Sequence, residues 1–82
     1  MSIDYRKELK KMYQIYADLR DAAGVTDYEV AKNTGVSTAT LTNWKYGRYE
    51  PKFDKLVAIA KYFGVSVEIF AKTTKPEPEE VK

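Results

Sequence analysis

The stretch "GVSTATLTNWKYG", residues 35–47, concentrates side chains that can make directed contacts without being reactive. Thr38, Thr40 and Thr42 each carry a hydroxyl and a methyl, Ala39 carries a methyl alone, and Asn43 carries an amide that both donates and accepts. Hydrogen bonding and methyl contact with a polar partner surface is the chemistry open to them. Thr is a mediocre helix former, so an exposed helix selected for stability alone would favour Glu, Lys or Gln there. Three Thr residues therefore argue against a merely solvated face. At about 100° per residue, Ser37, Leu41 and Trp44 fall on one side. Ala39, Thr42, Asn43 and Tyr46 lie opposite, with Thr38 and Thr40 on the flanks.

Reactive chemistry has little support. The 82 residues include no Cys and no His, which excludes disulfides, thiolate or imidazole metal sites and His-based catalysis. No Gly-rich phosphate loop is present either, so the reading is not an enzyme and implies no cofactor, metal or small-molecule ligand. The chain is long enough for one domain with a modest core. Asp4, Arg6, Lys7 and Glu8 interrupt any leader-like start, and the longest clean apolar run, Leu56–Ala60, is far short of a membrane span. A cytoplasmic protein is expected.

Net charge is only +2, but it is unevenly placed. Lys45, Arg48, Lys52, Lys55 and Lys61 stand against Glu50 and Asp54, whereas Asp21, Asp27 and Glu29 stand against Lys32 alone. The basic side borders the Thr-rich segment, which fits a polyanion partner.

The elements that must position these residues can be read from three repeated junctions: Gly24-Val25-Thr26, Gly35-Val36-Ser37 and Gly64-Val65-Ser66. Gly closes one helix in a left-handed conformation. Ser or Thr caps the next. Val packs on the fifth residue after it, here Val30, Leu41 and Phe70. Thr26 with Glu29 completes a capping box. Helices are predicted over Asp4–Ala23, Asp27–Thr34, Thr38–Tyr46, Phe53–Phe63 and Val67–Ala71. Leu9, Met12, Tyr16, Leu19 and Ala23 stripe the first. Phe53, Leu56, Val57, Ala60 and Phe63 stripe the fourth. The Pro- and Glu-rich residues 73–82 are predicted to be a disordered tail, leaving residues 1–72 as the domain.

A turn of about three residues links the second and third helices, with Ala31 small where they cross and Val30, Val36, Leu41 and Trp44 forming their seam. This is the signature of a helix-turn-helix unit over residues 27–46. Residues from about Leu19 to Ala71 resemble the Cro and phage-repressor class, the XRE family. The resemblance rests on "VTDYEVAKNTGVSTATLTNWKYGRYEPKFDKLVAIAKYFGVSVEIF". The Ala-x3-Gly-Val-Ser spacing, Trp-x-x-Gly, the Pro before the fourth helix and the last "GVS" carry it. It implies an all-α, lambda-repressor-like fold of five helices, here with an extended first helix. It also implies sequence-specific double-stranded DNA binding by a transcriptional regulator, as a homodimer. Base contacts are then implied at Thr38, Ala39 and Asn43, and phosphate contacts at Thr26, Thr40, Tyr46, Arg48 and Lys52. Thr42 and Lys45, on the exposed side of the same helix, join the backbone set.

Asp27 departs from the family pattern, since many members carry Gln there against a phosphate. An acid at a helix N-terminus favours the folded state, yet it repels a phosphate unless it tilts away. The alternative function is a protein-interaction or antitoxin module with weak or no DNA binding. Asp27 and the absence of Arg or Gln from the third helix favour that alternative, whereas the basic cluster favours DNA. The chain reads as a stand-alone regulator or as a piece whose "KPEPEE" stretch leads to another domain.

Overall fold

The stripe in "YRKELKKMYQIYADLRDAA" becomes α1, Tyr5–Ala23, whose Leu9, Met12, Tyr16 and Ala17 are buried. It is followed by α2 (Asp27–Thr34), α3 (Thr38–Lys45), α4 (Phe53–Phe63) and α5 (Glu68–Ala71). This is a computed structural model that describes residues 5–71. The expected helix start at Asp4 and the expected tail lie outside the described residues. All regular structure among the described residues is helical, as the local patterns require.

The junctions form as their chemistry dictates. Gly24, Gly35 and Gly64 take left-handed backbone. The Thr26 hydroxyl accepts from the Glu29 N–H while the Glu29 carboxylate accepts from the Thr26 N–H, both halves of the capping box. The Ser37 hydroxyl accepts from the Thr40 N–H at 3.0 Å. Such caps contribute about 1 kcal/mol each. α3 ends one residue earlier than expected, with Tyr46 as its C-cap. α5 starts one residue later, at Glu68, whose N–H is accepted by the Ser66 hydroxyl.

α1 packs on α3 and α5, and α2 packs on α3 and α4. Trp44 is the hub of the core and is fully buried. Its indole stacks on Tyr16 at 5.5 Å and meets Tyr13 and Phe70 edge-on, both at 5.8 Å. One side chain thereby joins α1, α3 and α5. Val30, Val36 and Leu41 complete the expected seam and are buried.

Three expectations fail for local reasons. Ala23, in the last turn of α1, is exposed and drops out of the core stripe. Phe53 opens α4 and is 69% exposed, because the first turn projects beyond the core. Ile59, which the expected stripe leaves out, is buried at 0% exposure. Ser37 is exposed because it spends its hydroxyl on the α3 cap rather than facing inward.

Candidate nucleic-acid interface

Burying Leu41 and Trp44 turns the other side of α3 to solvent. Thr38, Ala39 and Thr42 are exposed, and Thr40 and Asn43 are half-buried. Thr40 is held by the cap, since its hydroxyl accepts from the Ser37 hydroxyl at 2.9 Å. The N-terminal half of the helix is thus slim and polar, a shape that permits close approach to a groove.

The C-terminal end is shaped by Gly47. Its φ of +74° is left-handed, and an added Cβ would collide with the Arg6 side chain of α1. Glycine is required twice over, for the backbone and for the contact. The reversal lets the Arg48 N–H reach back to the Asn43 carbonyl at 2.9 Å. The Arg48 guanidinium then lies 5.1 Å over the Tyr46 ring and donates to Asn43 Oδ1 at 3.1 Å. Lys45 Nζ also lies over the Tyr46 ring, at 5.8 Å. Asn43 was expected to be fully outward; it is half-buried because residues 48 and 49 fold back over it. Its Nδ2 donates to the Ala39 carbonyl and to the Tyr49 hydroxyl.

Lys52 and Lys55 meet Ser37, Thr40 and the Gly35 backbone around a cleft of about 370 Å³, closed by Tyr49, Glu50 and Pro51. The two lysines and the α3 N-terminus, well separated in the sequence, are therefore adjacent in space. Glu50 lies in the same cleft, and burial pushes its carboxyl above the ordinary value. Burial and the neighbouring Glu50 together push up the Tyr5 phenol. Thr26, exposed, keeps its hydroxyl hydrogen available beyond the capping box.

Asp27 points at α1. Its Oδ1 accepts from the Tyr16 hydroxyl at 2.6 Å and from Arg20 Nη1 at 3.0 Å. Burial and the Asp27 bond push the Tyr16 phenol up. Burial opposes the Arg20 charge, but bonds to Asp27, Asp21 and Tyr13 outweigh it and raise its pKa. The acid at the head of α2 is thus paired rather than bare.

The sequence reading missed Tyr49, Glu50 and the Tyr16–Arg20–Asp27 set. An aromatic two residues after a helix-ending glycine was the available signal for Tyr49. Nothing local announces the others, which depend on how α1 crosses α2 and on what burial covers.

Residues 17–70 match the family described as "Helix-turn-helix". An uncharacterized HTH-type transcriptional regulator of Haemophilus influenzae is 40% identical over 57 residues, which covers 61% of this chain and 24% of that protein. An uncharacterized HTH-type transcriptional regulator of Methanocaldococcus jannaschii is 39% identical over 44 residues, covering 54% of this chain and 67% of that protein. No solved structure gives a significant match. No described helix is long and apolar enough to cross a membrane.

Proposed function

The chain belongs to the XRE-type helix-turn-helix family, and from that premise we propose that it binds double-stranded DNA sequence-specifically as a transcriptional regulator in the cytoplasm. Residues 1–72 form the binding domain, and α3 enters the major groove. Thr38, Ala39 and Asn43 read base edges, with Asn pairing to adenine and the small methyls meeting thymine. Thr26, Thr40, Thr42, Lys45, Tyr46, Arg48 and Lys52 contact phosphates and fix the register. Two copies bind a symmetric site, with half-sites about one helical turn, roughly 34–36 Å, apart. No catalytic role is proposed.

The observation that carries this reading is the division of α3 itself. Leu41 and Trp44 have 0% exposure, while Thr38, Ala39 and Thr42 stand in solvent beside Lys45, Arg48 and Lys52. Both relatives are named as HTH-type transcriptional regulators, which supports the same reading. The alternative, a protein-interaction or antitoxin module, draws on the Asn43 amide, whose donors are already engaged within the chain. Selection of bound duplexes from a random DNA pool separates the two. A recurrent two-fold symmetric motif is expected. Recovery of unrelated sequences, or of nothing above background, would favour the interaction module.

A further inference from the structure

We propose that Tyr49 is a specificity-determining residue, acting by occupying the amide hydrogen that Asn43 needs in order to pair with a base. The inference rests on the DNA reading above and deepens it.

An asparagine side chain offers two N–H donors and one carbonyl oxygen with two lone pairs. Both Asn43 donors are taken, one by the Ala39 carbonyl at 2.8 Å and one by the Tyr49 hydroxyl at 3.0 Å. Arg48 takes one lone pair, at 3.1 Å. What remains is a single acceptor position. Such an amide can meet a base that donates in the major groove, adenine N6 or cytosine N4, but it cannot also donate to adenine N7. Bidentate pairing and the Tyr49 bond compete for one hydrogen.

The Tyr49 bond is the one that yields. The Ala39 bond lies against the helix backbone one turn back, whereas the Tyr49 ring is 45% exposed and its hydroxyl can turn to water. The amide orientation does not depend on Tyr49. A flipped amide would aim N–H groups at the Arg48 guanidinium and the oxygen at the Ala39 carbonyl, so both neighbours forbid it. Arg48 is fixed in turn by the Tyr46 ring and by its own N–H bond to the Asn43 carbonyl. Removing the Tyr49 hydroxyl therefore releases a hydrogen that is already aimed.

The experiment compares the full chain with Tyr49→Phe on duplexes that differ only at the base pair where Asn43→Ala loses discrimination. The hydrogen-bond competition predicts that Tyr49→Phe raises the adenine-over-cytosine preference at that position by about 3- to 10-fold. Affinity for unrelated duplex stays unchanged, and Asn43→Ala in the Tyr49→Phe background abolishes the gain. An unaltered preference would overturn the proposal, as would equal weakening on every duplex, which would make the hydroxyl a phosphate contact. A wild-type chain that binds no duplex at low salt would instead overturn the DNA reading, and this inference with it. Tyr49 is on the surface, and matching circular dichroism spectra confirm that the variant is folded.

Discussion

The Arg20 guanidinium and the Asp27 carboxylate meet at 3.0 Å across the junction of α1 and α2, and the hydroxyl of the fully buried Tyr16 shares the same oxygen at 2.6 Å. Asp27 thus pins the head of α2 to α1 while serving the helix dipole. Asp27→Ala strands the Tyr16 hydroxyl without its acceptor and is expected to cost about 1–3 kcal/mol. Urea unfolding measures it, and Tyr16→Phe in the same background should recover part of the loss. A variant as stable as the parent would show that the network does not hold the junction.

Trp44 connects three helices through ring contacts, and its Nε1 has no hydrogen-bond partner among the described residues. Its contribution is therefore packing. Trp44→Ala is expected to lose about 3–5 kcal/mol, and Trp44→Phe much less, because no hydrogen bond is surrendered. Thermal unfolding compares the two. Equal losses would point to a bond at Nε1 rather than to volume.

Gly24 and Gly47 have nearly the same left-handed φ, +71° and +74°, but only Gly47 faces a neighbour. Replacing Gly24 by Ala should cost about 1–2 kcal/mol for the backbone alone. Gly47→Ala must also displace Arg6 and is expected to cost more. Denaturant midpoints of the two variants give the difference. Equal midpoints would mean that α1 does not press on the α3 terminus.

Burial raises the Glu50 carboxyl above its unfolded value. Between those two values the folded protein keeps a proton that the unfolded chain has lost, so stability falls as pH rises through that window. Glu50→Gln should raise the melting temperature at neutral pH and change it little at pH low enough to protonate Glu50 in both states. Melting curves across pH decide this, and a gain that did not depend on pH would assign the effect to something other than the charge.

Local chemistry made much of the fold legible. Gly, Val and Ser or Thr act within a few residues of each other, so the helix junctions and their caps are readable from the three tripeptides. The seam of Val30, Val36, Leu41 and Trp44 follows from spacing, and Trp44 is buried as the wheel requires. Phe53 was misread because a stripe does not reveal where the core stops. Asn43 was misread for a different reason. Its outward position on the wheel is sound, but Arg48 and Tyr49 reach it only because Gly47 reverses the chain. Asp27 was legible as a helix-start acid, but its partners Tyr16 and Arg20 required the crossing of α1 on α2.

The face of α3 is tested most directly by equilibrium binding of the full chain to a selected duplex and to its scrambled counterpart over a range of salt. The phosphate contacts proposed for Lys45, Arg48, Lys52 and their neighbours predict that log affinity falls linearly with log salt, by about 0.9 per phosphate neutralised. The selected duplex should bind at least about 10³-fold more tightly than the scrambled one. Affinity that is flat in salt, or identical for the two duplexes, would contradict a sequence-reading α3.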